Sequence, residues 1–390
     1  MPLTPSVPPR AIEPSAPVGG TTSIIAKTNA ARQAIRVLVV DDARLFRAAI
    51  SQALSGETDL KIVGTVASGE EALAAIAQDP PDVVTLDVEM PGMGGLATLQ
   101  GIMAANAQRP DRPIGVVMVS GHTQAGAEAT LKALAGGAFD FIAKPVGGTP
   151  DEAMRMLKSQ LPLRIRCCAL ARGGVRRATA RPAAPPPPIA QARPSTGRVE
   201  AIVIAVSTGG PKALLQMLPT LTAKTEKPII IVQHMPASFT GPFAEQLGKA
   251  TGWPSAEAVH GQVITPHRLY IAPGGHHLSV RREGTHVMLV LTDTPPECGV
   301  RPAADVLFRS IPPVWGGDVV AVVMTGMGVD GTAGLRPLRR AGAQVVAQDE
   351  ATSVVWGMPG SAVSGGLVDT VVPLMGIPDA VVARCRGVVG

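Results

Sequence analysis

The chain has 390 residues, of which 46% are hydrophobic and 3% aromatic. That length points to two domains, and the apolar fraction is that of a globular protein. The formal charge of +5 would suit a nucleic-acid binder, but ten of the 35 basic residues lie between Glu152 and Glu200, where no acidic residue occurs, leaving 25 basic against 30 acidic elsewhere. The positive charge therefore belongs to one segment.

Residues 1–34 are rich in Pro, Ala, Ser and Thr without periodicity, and are expected to be a disordered extension. Order is expected from Ile35, where an apolar run of strand length ends in Asp41-Asp42. Leu45, Phe46, Ala49, Ile50 and Leu54 then follow at helical spacing. The alternation repeats through strands at 61–66, 83–86, 114–119 and 139–143. Strands that are apolar throughout and separated by helices predict a parallel sheet covered on both faces. A small doubly wound domain is thus assigned to 35–155 and a Pro- and Arg-rich linker, with its tetraproline Pro185–Pro188, to 156–198. Buried strands recur at 201–206, 228–232, 268–272, 319–324 and 343–347, giving a second, doubly wound and mainly parallel α/β domain over 199–390.

Ligands collect at the carboxyl ends of parallel strands. Asp41 and Asp42 follow the first strand, Asp87 the third, Ser120 the fourth and Lys144 the fifth. Clustered carboxylates suit a hard cation such as Mg²⁺. A lysine and a hydroxyl can hold phosphoryl oxygens, and one carboxylate can become an aspartyl phosphate. Helix capping is the plain alternative for any one of these residues. Five polar residues at five strand ends favour the functional reading. The segments Val39–Asp42 with Arg47, Thr85–Gly95, Met118–Ser120 and Ala143–Pro145 resemble a two-component receiver domain, which has a flavodoxin-like fold. The resemblance implies that Asp87 is the phosphoacceptor and that Asp41, Asp42, Asp87 and the Glu89 carbonyl surround Mg²⁺. It also implies that Ser120 and Lys144 contact the phosphoryl group. Phe141 falls where receivers often carry a switching aromatic.

In the second domain, Ile202–Val206 leads into Ser207-Thr208-Gly209-Gly210-Pro211. A serine at a strand's carboxyl end, before a helix whose amides can bind an oxyanion, can be a nucleophile; it can equally be a helix cap. Neither G-x-G-x-x-G nor G-x-x-x-x-G-K-[ST] is present, and this is not the G-x-S-x-G elbow. A nucleophilic serine needs a base and a group to orient it. His234, after 228–232, and the pair His276-His277 compete for the first role. Asp330, after Thr325–Val329, can fill the second or cap a helix. The residues alone leave these alternatives open.

Blocks 205–211, 233–236, 269–275, 301–308, 324–331 and 347–353 together resemble the chemotaxis protein-glutamate methylesterase (CheB) family. That resemblance implies a triad of Ser207, His234 and Asp330, with Thr208 and the Met327 backbone supporting the oxyanion. It implies hydrolysis of glutamyl γ-methyl esters, and deamidation of certain glutamines, on chemoreceptor cytoplasmic domains, without a metal in that step. A chemotaxis histidine kinase would be the phosphodonor, and the unphosphorylated receiver is expected to cover the Ser207 face. The competing class is a response regulator with a non-catalytic docking domain; a transcription factor would need a helix-turn-helix output that the strand pattern lacks. Departures from the family pattern are the N-terminal extension, the long basic linker, Cys298-Gly299-Val300 before Arg301, and Ala303. No apolar run approaches a membrane span and no secretory signal is visible; the four cysteines, Cys167, Cys168, Cys298 and Cys385, form no disulfide or metal pattern. A soluble cytoplasmic protein with no membrane insertion and no specific nucleic-acid partner is expected.

Overall fold

The computed structural model describes residues 34–145, 147, 149–172 and 198–386. The extension before residue 34 and linker residues 173–197 lie outside the described residues.

The first domain runs β1 (Ile35–Val40), α1 (Arg44–Leu54), β2 (Leu60–Val66), α2 (Gly69–Gln78), β3 (Val83–Asp87), α3 (Gly94–Ala107), β4 (Gly115–Ser120), α4 (Gln124–Ala135), β5 (Asp140–Ala143) and α5 (Pro150–Arg172). Its five strands are all parallel, in the order β2-β1-β3-β4-β5. Val37, Val83, Val84, Val116 and Val117 are fully buried, as expected when helices cover both faces. The helices start where sequence chemistry allows. The Ser68 hydroxyl accepts from the Glu71 amide at the start of α2, and Thr123 does the same for Gly126 at α4.

The second domain contains β6 (Ala201–Val206), α6 (Gly210–Thr222), β7 (Ile229–Gln233), α7 (Ala237–Thr251), β8 (Ser255–Glu257), β9 (Leu269–Ile271), β10 (His277–Glu283) and β11 (His286–Thr292). It continues with α8 (Ala304–Ser310), α9 (Pro312–Trp315), β12 (Val319–Val323), α10 (Thr332–Arg340), β13 (Gln344–Gln348), α11 (Met358–Ser364), β14 (Thr370–Val372) and α12 (Ile377–Cys385). Seven parallel strands lie in the order β14-β13-β12-β6-β7-β9-β8. The short edge strands β8 and β14 and the separate antiparallel ribbon β10–β11 were not expected. In that ribbon Leu278 and Val280 are buried with Leu289 and Val287, and in β10 Ser279 and Arg281 alternate with them.

The linker expected from residue 156 is corrected at its start. Residues 150–172 form one helix. Leu157, Leu161, Ile165 and Cys168, at spacings of four, four and three, are at most 2% exposed, so one face of α5 belongs to the first domain's core. Arg166 anchors it further, donating to Asp59 at 2.7 and 2.8 Å and to Glu57. If α5 is part of the fold, Leu161→Ala should destabilise the first domain by about 2–5 kcal/mol, as deletions of buried leucine do. Chemical denaturation of the full chain measures this; an unchanged midpoint would mean that the segment behaves as a linker.

Candidate active site

Each sheet has a point where the strand order reverses, between β1 and β3 in the first and between β6 and β12 in the second. Loops leave such a point in opposite directions and open a crevice at the carboxyl edge. Both clusters of expected site residues sit at these points.

At the first crevice, the carboxylates of Asp41, Asp42 and Asp87 present oxygens within 4.8 Å of one another. Asp41 and Asp87 are buried and Asp42 is exposed. The Lys144 ammonium bridges Asp41 at 2.8 Å and Asp87 at 2.7 Å, and lies 4.8 Å over the Phe46 ring. The Glu89 amide donates to Asp87, while its side chain accepts from Thr123 at 2.8 Å. Ser120 is buried beside them, its hydroxyl donating to the Gly126 carbonyl at 3.2 Å. Burial pushes the Asp87 carboxyl up to about 6, with Asp41 adding to the rise, although Lys144 and the Glu89 amide oppose it.

The second crevice is set by strand pairing. β6 pairs with β7 through Val206 and Gln233, and with β12 through Ala205 and Val323. Ser207 and His234 are therefore the first residues past neighbouring strand ends, where adjacent strands lie about 5 Å apart. The Ser207 amide donates to the Thr325 carbonyl at 3.0 Å. The following loop, with Met327, passes so close that a Cβ on Gly326 would stand 2.9 Å from the Ser207 Cβ. Gly209, at φ 78°, turns the chain from β6 into α6, in a conformation that favours glycine.

Asp330 is 2% exposed and lies 2.7 Å from the His234 Nε2. It also accepts from three backbone amides, of Ala304 at 2.6 Å, Asp305 at 3.0 Å and Gly331 at 2.9 Å. Burial alone would raise its pKa; His234 and the amides outweigh burial and hold it below the usual carboxylate value. Asp330 thus both caps backbone and meets an imidazole. The competing histidines have other work. His277 is fully buried, accepts from the Ala303 amide and meets the Pro295 carbonyl, each at 3.1 Å. His276 pairs with the exposed Asp293.

Some residues of this site went unnoticed in the sequence. Buried Gln348 accepts from the Thr325 amide at 2.8 Å, and the Thr325 hydroxyl donates to the Thr208 carbonyl at 2.9 Å, bracing the turn after Ser207. The available signal was a polar residue closing a buried strand. A neighbour from the first domain also reaches this turn. Asp140, buried beside Arg164 at 3.3 Å, lies near the Thr208 side chain. Phe141 packs its ring 4.5 Å from that of Phe239. A cavity of about 200 Å³ lies alongside, lined by Phe139, Asp140, Gly209, Lys212 and Val354.

The raised Asp87 pKa gives a signed expectation. A folded-state pKa of about 6 against 3.8 means that ionised Asp87 opposes folding, fully above pH 6 and not at all well below 3.8. In chelator, Asp87→Asn should raise the thermal midpoint at pH 7.5, and the gain should shrink as pH falls from 6 towards 4. A gain independent of pH would show that the carboxyl is not strained.

Residues 202–381 match the CheB methylesterase family and residues 37–158 the response regulator receiver domain. A protein-glutamate methylesterase/protein-glutamine glutaminase of Trichodesmium erythraeum is 41% identical over 354 residues, covering 90% of this chain and 98% of its own length. One from Geobacillus kaustophilus is 44% identical over 352 residues, covering 89% and 98%. The crystal structure of the Thermotoga maritima CheB methylesterase catalytic domain is 36% identical, with a TM-score of 0.46, over 47% of this chain and 97% of that one. With both domains matched and relatives aligned along almost their whole length, the chain belongs to the family of response-regulator-controlled protein-glutamate methylesterases/protein-glutamine glutaminases.

Proposed function

We propose that this enzyme hydrolyses glutamyl methyl esters, and deamidates glutamines, of chemoreceptor cytoplasmic domains through Ser207, His234 and Asp330. The observation that supports it most is the 2.7 Å contact of the His234 Nε2 with a carboxylate held ionised by three backbone amides, at the strand end next to Ser207. Because Nε2 donates to Asp330, Nδ1 is the nitrogen left to take the serine proton. Ser207 Oγ attacks the ester carbonyl, and its proton passes to Nδ1. The resulting imidazolium is stabilised by Asp330 and returns the proton to the departing methoxide, so methanol leaves. Water, deprotonated by the same nitrogen, then cleaves the acyl-serine to glutamate and free Ser207. Thr208 and the Met327 backbone border the oxyanion, where one donor is worth about 3–4 kcal/mol in comparable enzymes.

The receiver's part follows from its acidic crevice. An oxygen-only donor set of Asp41, Asp42, Asp87 and the Glu89 carbonyl fits Mg²⁺, a hard cation that would neutralise charge during phosphoryl transfer. Asp87 is the proposed nucleophile towards a phosphodonor of the chemotaxis histidine kinase type. Lys144 and Ser120 are proposed to receive the phosphoryl oxygens, Ser120 after releasing Gly126. No helix among the described residues is long and apolar enough to cross a membrane.

We also propose that the unphosphorylated receiver restrains the esterase. Phe141 packs on Phe239, Asp140 lies near Thr208, and α4 packs on α6 and α7, so the receiver occupies ground beside the nucleophile. A substrate helix needs that ground.

Methanol release from methylated receptor tests the chemistry. Ser207→Ala should reduce it to background, whereas a docking module without catalysis would show no release in the wild type either. Asp330→Asn should cost about 10⁴-fold in kcat by presenting the wrong imidazole tautomer. A second expectation concerns control. Asp140→Ala should raise release by unphosphorylated enzyme several-fold and reduce the further gain from a small phosphodonor. Unchanged basal activity with full stimulation would remove Asp140 from the restraint.

A further inference from the structure

Gln233 closes β7 and is 2% exposed. Its side-chain nitrogen donates to two carbonyls at once, that of Ser207 at 3.1 Å and that of His234 at 3.1 Å. A primary amide nitrogen has two hydrogens, and here each has its own acceptor. The two carbonyls belong to different strands and to the proposed nucleophile and base.

The sheet itself does not supply this link. The last backbone bond between β6 and β7 runs from the His234 amide to the Val206 carbonyl, at 3.2 Å. Beyond it the chains diverge, with the Ser207 amide turned the other way to Thr325. The Gln233 amide is thus the rung past the end of the ladder. Its oxygen meets no donor, and it lies 2.1 Å from where a Cβ on Gly210 would stand. The buried side chain is therefore held in place for its donor end, in space that a Cβ at position 210 would contest.

We propose that Gln233 is a positioning residue that fixes the spacing between Ser207 and His234. The inference rests on the triad reading above. Its effect on catalysis is through geometry, because an error of about 1 Å in a reacting pair can cost 10²-fold.

The test compares the full-length wild type with Gln233→Met, Gln233→Glu and Ser207→Ala in methanol release, with thermal midpoints measured on each. Methionine keeps length and volume and removes both donors. Ionised glutamate keeps the shape and faces the two carbonyls with acceptors only. Both Gln233 variants are expected to lose about 10- to 100-fold in kcat with KM within twofold, while the melting transition stays cooperative. A glutamine that only fills space predicts a kcat per folded molecule within twofold of wild type in the methionine variant; that result, with Ser207→Ala inactive, overturns the positioning role alone. Activity lost only in proportion to the unfolded fraction overturns it as well. Methanol release surviving in Ser207→Ala would instead overturn the triad reading, and the positioning role with it.

Discussion

Parallel pairing of β6 with its two neighbours is the constraint on which the proposed catalytic arrangement depends. Because these strands run in one direction and stop at nearly one level, the residue after each stop is delivered to the same edge. Ser207 follows Val206, His234 follows Gln233, and the loop after β12 brings Thr325, Gly326 and Asp330. Successive crossover units place consecutive strands side by side, so residues 27 positions apart become neighbours while the sequence between them is spent on α6. The order reverses between β6 and β12, which opens a crevice at that edge.

The two crevices treat their buried carboxylates in opposite ways, and the donors explain why. Asp330 accepts from three amides and an imidazole, enough to replace the water it has lost. Asp87 has one ammonium and one long amide contact, and it shares the ammonium with Asp41. A carboxylate kept ionised and immobile suits orientation of an imidazole. One left short of partners is poised to gain from a new cation or a covalent group. The same side chain is thereby set to two tasks by its surroundings.

What was legible in the sequence follows from locality. Buried parallel strands read clearly because each is an unbroken apolar run, and their ends marked Asp41, Asp87, Ser207, His234 and Asp330. Choosing His234 over His277 needed either family likeness or the fold, because both follow strands. Only three dimensions show that His277 is committed to Ala303 and Pro295. The helix at 150–172 is hidden in the sequence by the Pro- and Arg-rich stretch that it runs into, although the spacing of Leu157, Leu161, Ile165 and Cys168 marks one helical face. Gln233, Thr325 and Gln348 went unseen because a polar strand end has no signature until its partners, tens of residues away, are known.

Strand β5 joins the two halves of the molecule over a short distance. Lys144, just past its end, holds Asp41 and Asp87; at its start Phe141 packs on Phe239, and Asp140 lies near Thr208. An aromatic pair contributes about 0.5–1.5 kcal/mol beyond its burial. Around it α4 packs on α6 and α7, so the two domains share one apolar core. Moving a two-state equilibrium from 1:99 to 99:1 takes about 5.5 kcal/mol. On the proposed reading, a phosphoryl group, bringing about two negative charges beside Lys144, acts on this interface through β5, which runs from Phe141 beside Phe239 towards Lys144 beside Asp87.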